Sequence, residues 1–217
     1  MSFSPLFLSL QVSFFATLLI AIFGTPLALL LSRRKLPARA VLETLTLLPL
    51  VLPPTVTGYY LLTTFGIESV AGKIYRSITG SDLVFTLQGA ILAACIVGFP
   101  LYVRTAQVAL SSVDRELSEQ AQVDGASRAQ TLLYVRIPLA RGGMIGGLSM
   151  AFARTLGDFG ATLMIAGNIP GKTRTASMAI YDAVENNDAQ TAGSLSLCLA
   201  GMCLLCTLLA VHFLRHD

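Results

Sequence analysis

Residues 1–32 read MSFSPLFLSLQVSFFATLLIAIFGTPLALLLS and contain no charged side chain. A helix needs about 20 apolar residues to cross the hydrocarbon core of a bilayer, so this run is long enough. A signal peptide would start with basic residues, carry a shorter apolar stretch and end in a small-residue cleavage site. Here no basic residue precedes the run, and Ser32 leads into Arg33, Arg34 and Lys35. The segment is therefore expected to be a retained membrane span. Outward from it, charge-free runs recur at 44–67, at 83–103 and at 189–214, the last broken only by His212. Residues 142–167 are apolar apart from Arg154 and Asp158. The expectation is an all-α, polytopic bundle of about five spans, with residues 1–217 as a single transmembrane domain.

Composition agrees with a lipid solvent. The chain is 54% hydrophobic and 12% charged, with a mean hydropathy of +0.70, whereas a soluble domain carries roughly a quarter charged residues. Buried helices of a soluble protein would also show a polar stripe, and these runs mostly do not. The net charge of +3 says little, but its distribution sets an orientation. Arg33, Arg34, Lys35 and Arg39 follow the first span, and Arg104, Arg115, Arg128, Arg136 and Arg141 separate the third from the fourth. With Arg215, ten of the fifteen basic residues fall on one side; Lys73, Arg76, Lys172 and Arg174 fall on the other. The positive-inside rule makes the first side cytoplasmic, with the N-terminus outside and the C-terminus inside.

Cys95, Cys198, Cys203 and Cys206 all lie in expected spans, where cysteine acts as a small apolar residue. The only histidines, His212 and His216, are at the extreme C-terminus, so no metal, cofactor or catalytic constellation is expected, and no nucleic-acid partner. The outer connections are 68–82 and 168–188, and the second is expected to hold a short amphipathic helix over 176–184 with Ile180, Tyr181 and Val184 on its apolar side. The inner loop, 111–141, is too polar to span. Ser111-x-x-Asp114 reads as a helix cap with its box partner, Gly125 as the left-handed stop, and Ser127-x-x-Gln130 as the start of a second helix that Pro138 ends. Val113, Leu117 and Ala121 give the first helix an apolar stripe. This elbow fits a docking element or a solvated linker.

That loop reads Glu119-Gln120-Ala121, three residues, Gly125, nine residues, then Val135-Arg136-Ile137-Pro138. It resembles the EAA loop of ATP-binding-cassette importer permeases, which runs E-A-A, three residues, G, nine residues, I-x-L-P. Gln120, Val135 and Ile137 are the departures, and the spacing is unbroken. The resemblance implies the type I importer permease fold (MetI-like). It also implies that Glu119, Ala121, Asp124, Gly125, Ser127 and Pro138 couple to a cytoplasmic ATPase. Gly125 would permit a close backbone approach, and Ala121 a deep seat. The chain holds no Gly-rich Lys-Ser/Thr phosphate loop, so it is expected not to be an enzyme; ATP hydrolysis falls to another subunit.

A second stretch, Arg154-Thr155-Leu156-Gly157-Asp158-Phe159-Gly160-Ala161-Thr162 followed by Gly167-Asn168-Ile169-Pro170-Gly171-Lys172-Thr173, is similar to the molybdate permease family's R-x-x-G-E-F-G-A-T and G-N-I-P-G-x-T. Asp158 stands where that family usually has glutamate. Residues 48–59, with Pro53-Pro54-Thr55, also resemble the family pattern. Sulfate permeases share the loop, so sulfate, thiosulfate or tungstate are alternative cargoes, and a secondary transporter is a rival class. The resemblance implies a bacterial inner-membrane protein with cytoplasmic ATPases and a periplasmic oxyanion-binding protein as partners. Because five spans enclose a path poorly, a homodimer is expected.

Two features inside the membrane carry candidate chemistry. Arg154 and Asp158 are four residues apart on one helix face, and a charge at mid-membrane costs at least about 2.5–3.5 kcal/mol. They form either a structural ion pair or part of a dianion path. Pro53-Pro54 breaks the second span beside Thr55, Thr57 and Gly58, and a broken helix must face protein or water. Gly142, Gly143, Gly146 and Gly147 form two overlapping GxxxG patterns, serving dimerisation or internal packing.

Overall fold

The computed structural model describes residues 4–33 and 36–215, and among these every regular element is helical. Arg34, Lys35 and His216 lie outside the described residues, as do the side chains of His212 and Arg215. Helix α1, Ser4–Leu31, is apolar all round, yet only one face is inside. Ser9, Val12, Ala16, Ile20, Gly24 and Ala28 repeat every three or four residues along the buried stripe. Phe7, Phe14, Ile22 and Phe23 point outward, as they should on a helix solvated by lipid.

Helix α5, Leu87–Ser112, is the centre of the bundle, packed between α1 and α8, Ile137–Leu156. Lipid gives apolar helices no hydrophobic reason to associate, so close packing must supply it. Small residues do this at each crossing. A Cβ on Gly98 would lie 2.8 Å from Thr155 Cγ2 and 2.9 Å from Ile20 Cδ1. Gly24 lies under the Tyr102 ring, whose hydroxyl is 2.5 Å from Thr25 Oγ1. Gly143 and Gly147 face Ala109 and Thr105 of α5, so these two glycines of the GxxxG pair serve packing within the chain.

The second span is broken at Pro53-Pro54, as its sequence predicts. Helix α2, Arg39–Val51, and α3, Pro54–Phe65, meet at 110°. Leu52 and Pro53 are extended, with ψ of 143° and 137°, because a residue before proline is pushed out of the helical region. Among the described residues three helices, α1, α5 and α11 (Ala189–Arg215), are long and apolar enough to cross a membrane, or four candidate spans if the bent pair counts as one. Of the five expected spans, the fourth is the one that does not meet that measure. Helix α8 has the length but carries Arg141, Arg154 and four glycines, and the chain turns after Leu156 into the short α9, Gly160–Ala166.

The outer connections hold two surface helices. Helix α10, Ala176–Glu185, matches its expected place, with Tyr181 and Val184 exposed. Helix α4, Val70–Thr79, was not expected; Ser69 caps its start and Gly80, at φ +73°, its end. Helices α3 and α9 pack closely, since a Cβ on Gly58 would lie 2.9 Å from Ala161 Cα and 2.7 Å from Met164 Cβ. Gly58→Val should therefore force the pair apart and destabilise the fold by about 1–3 kcal/mol, read as a lowered thermal midpoint of the detergent-solubilised protein.

Candidate coupling elbow and paired helix breaks

The inner loop folds as an elbow. Ser111 belongs to the last turn of α5, so the expected Ser111 cap is corrected: Asp114 Oδ1 caps helix α6, Arg115–Val123, by accepting from Glu116 N at 3.0 Å. Asp114 does so because Val113 is already extended, which ends α5 at Ser112. Asp124 closes α6, and Gly125 follows at φ +98°. Only glycine holds that conformation without strain. A Cβ there would meet nothing within 4 Å, so within this chain conformation, not crowding, requires the glycine.

Ser127 and Gln130 form the expected capping box: Gln130 N donates to Ser127 Oγ at 3.3 Å, and Ser127 N to Gln130 Oε1 at 2.8 Å. Helix α7, Arg128–Thr131, then passes into a π-turn, Leu132–Arg136, and straight on into α8. Pro138 does not end a helix. It occupies the first turn of α8, where a missing N–H is harmless, and the wider π-turn precedes its ring. Helix α7, the π-turn and α8 are thus one helical rod, joined to α6 through the turn at 124–127.

Glu119 pairs with Arg115 at 2.5 Å on the elbow's exposed surface. Ala121 is half-buried, and Leu117, Leu133 and Tyr134 are exposed. Val123 reaches 85% and Tyr134 77% exposure, so the polar-looking loop presents a row of bare apolar side chains. Sequence reading overlooked Arg136. Its Nη2 donates to Ser32 Oγ at 3.1 Å and to the Leu110 carbonyl at 3.2 Å, tying the π-turn to the ends of α1 and α5. Next to it, Gln107 Nε2 donates to the Leu31 carbonyl at 3.3 Å and to Glu43, which also pairs with Arg39 at 2.8 Å. An open groove of about 520 Å³ runs between the inner ends of α5 and α8, past Arg104, Val108 and Leu139.

The membrane-embedded candidates lie together, away from the elbow. The break between α2 and α3 abuts the break between α8 and α9: a Cβ on Gly160 would lie 3.2 Å from Pro54 Cβ and 3.3 Å from Thr55 N. Pro53, Pro54 and Thr55 are exposed in the single chain, while Thr57 and Gly58 are buried against α9. Asp158 is buried and accepts through Oδ2 from Thr162 N at 3.0 Å and Thr162 Oγ1 at 2.6 Å, so it caps α9. Arg154 Nη1 stands 3.7 Å from Asp158 Oδ1, too long for a hydrogen bond, with 31% of its side chain exposed. The pair is asymmetric: the carboxylate is built into the scaffold and the guanidinium is open on one side.

On the outer side, Arg174, Asp182 and Asn168 close a triangle of contacts at 2.7–3.0 Å that holds the 168–175 loop on α10. Phe159, at the α8–α9 break, packs against Tyr181 with ring centroids 5.1 Å apart. The Tyr181 hydroxyl donates to Glu185 at 2.6 Å, and that bond together with the neighbouring negative charge raises its pKa.

Comparison with known proteins gives these features a context. The profile of a family described as binding-protein-dependent transport system inner membrane component matches residues 6–216. The chain is 39% identical to the putative molybdenum transport system permease protein YvgM of Bacillus subtilis (strain 168), over 91% of this chain and 87% of that protein. It is 40% identical to the molybdenum transport system permease protein ModB of Escherichia coli (strain K12), over 91% and 86%. Among solved structures, an inward-facing form of the MetNI methionine transporter aligns with a TM-score of 0.77 at 16% identity, covering 98% of this chain and 94% of that one.

The capping geometry generates a test of its own. Asp158→Ala should destabilise the protein by about 1–3 kcal/mol, the cost of stripping a buried donor pair of its acceptor. A Thr162→Val background should remove only the part of that loss carried by the hydroxyl bond, because the residue 162 N–H still donates to Asp158, read as the coupling energy of a double-mutant cycle on thermal unfolding.

Proposed function

Because this chain belongs to the family of binding-protein-dependent transport system inner membrane components, we propose that it is the permease of an ATP-binding-cassette importer for molybdate. It is a multi-pass, non-catalytic component of the bacterial inner membrane. What carries the cargo reading is the near-full-length similarity to two permeases named for molybdenum transport. The family implies two kinds of partner, an ATPase and a solute-binding protein.

In this reading residues 1–217 act as one permease unit, with 111–141 as the loop that meets the ATPase. The bare apolar row at Leu117, Val123, Leu133 and Tyr134 supports that role, since solvent-exposed side chains of this size call for a partner. Glu119, Ala121, Asp124, Gly125, Ser127 and Pro138 shape the docking elbow. Two copies of the permease face each other across the path. The support is physical: Pro53, Pro54 and Thr55 at the break of the second span are exposed in the single chain, and non-helical backbone at membrane depth is tolerated only against protein or water. A second copy and a water-filled path between the two relieve that exposure, with Thr55 and Arg154 on the path side.

Closure of the ATPases moves the elbows and rocks the protomers between inward- and outward-facing states. Selectivity then lies largely in the binding protein, because a deep anion site in the permease would slow release. Proteoliposomes holding the permease, its ATPase and its binding protein should take up labelled molybdate, with little competition from excess sulfate. Sulfate competing on equal terms would replace molybdate by the wider oxyanion class. Gly125→Asp should abolish uptake while leaving membrane insertion intact, since aspartate at φ +98° is strained; undiminished uptake would remove the coupling assignment.

A further inference from the structure

We propose that Arg136 is a positioning residue that rivets the elbow to the inner ends of α1 and α5, so that a push on the elbow moves α1, α5 and α8 as one body. The inference rests on the reading of 111–141 as the ATPase-docking elbow, and it adds a route for the force beyond that loop.

The last four carbonyls of a helix lack partners inside it. Leu110 is in the last turn of α5, and its carbonyl accepts from Arg136 Nη2. Ser32 closes α1: its N donates to Ala28 O at 2.9 Å and its hydroxyl to Leu29 O at 2.8 Å. That leaves the Ser32 oxygen free to accept from the same Arg136 nitrogen. One guanidinium thus serves two helix C-termini, where the helix dipoles favour a positive charge.

The π-turn decides that the side chain points there. One residue of register turns a helix face by about 100°, so an extra residue in the turn reorients whatever follows or ends it. Arg136 is the last residue of that turn, two before Pro138. Beyond it, α8 already grips α5 through Gly143 and Gly147. Without Arg136, the elbow reaches α1 only indirectly, through α8 or α5. With it, all three helices take the load at their inner ends.

The test uses the full transporter, permease with ATPase and binding protein, in liposomes. Arg136→Gln should leave co-purification of the ATPase and basal ATP hydrolysis intact, while molybdate imported per ATP falls about tenfold, the scale of one charge-assisted hydrogen bond. Arg136→Lys, which keeps the charge and one donor direction, should recover part of it, and Ser32→Ala should lose less than Arg136→Gln. A merely structural role would instead reduce assembly and leave the stoichiometry of what assembles unchanged.

A second measurement does not depend on the variant folding. Nitroxides at Ser112→Cys and Ala129→Cys, with the four native cysteines replaced by alanine, report the distance from the end of α5 to the elbow with Arg136 in place. That distance should be the same in the nucleotide-free and ATP-bound states. A distance that changes with ATP, or an Arg136→Gln transporter with unchanged import per ATP, overturns the proposal. Failure of the docking reading looks different: Gly125→Asp would then still bind the ATPase and transport.

Discussion

A peptide group freed inside a bilayer has no water to turn to, and each one left unpaired costs several kcal/mol. This chain breaks its helices twice in the membrane, and the two breaks sit against each other at Pro54 and Gly160. Each is repaired from within. Val56 and Thr57 N–H groups both return to the Pro53 carbonyl, at 2.9 and 3.1 Å. Asp158 takes the donors at the start of α9, and Phe85 N donates to Ile165 O at 2.9 Å near its end. The Leu52 N–H likewise returns to the Leu48 carbonyl at 3.0 Å, and at the bend Leu52 is half-buried while Pro53 is exposed. Pro53, Pro54 and Thr55 at that bend are exposed, a face suited to water or a second protein surface.

The rest of the bundle packs around those breaks. Gly24, Gly98 and Gly147 bring α1, α5 and α8 to contact distances that larger residues would forbid. Such contacts transmit displacement because close-packed interiors do not compress. Helix α7 runs into α8 with no flexible joint, through the π-turn. Displacement of α7 therefore reaches Arg154 along a single helical rod, and the break after Leu156 is where that rod ends.

Much of this was legible in the sequence, for physical reasons that differ by element. Charge-free runs located α1, α5 and α11 because hydropathy is a sum over residues and needs no tertiary information. The Ser127–Gln130 box and the Gly125 turn were legible because both are satisfied within a few residues of chain. Hydropathy could not see the 110° bend, since a crossing helix and a folded-back one have the same composition. Pro138 was misread because proline ends one helix and begins the next with the same covalent chemistry. Helix α4 carries its own caps at Ser69 and Gly80, but ten residues between two spans read as a loop. Arg136 occupies the unconstrained position of the loop pattern; its importance lies in Ser32 and Leu110, 104 and 26 residues away.

The asymmetry of Arg154 and Asp158 joins stability to transport. An importer of a dianion needs attraction along its path, but a deep well would hold the cargo. Asp158 is fixed by Thr162 and cannot swing away from Arg154 without uncapping α9. At 3.7 Å, and without a hydrogen bond, it reduces the field of the guanidinium and leaves its donors largely uncommitted. On the proposed path a passing dianion then meets a cation whose counterion is permanent, buried and on the far side. Attraction survives at short range and fades quickly with distance, because the pair looks neutral from afar. On that proposed path a shallow, local well suits release to the cytoplasm, and the capping bonds of α9 would keep it shallow.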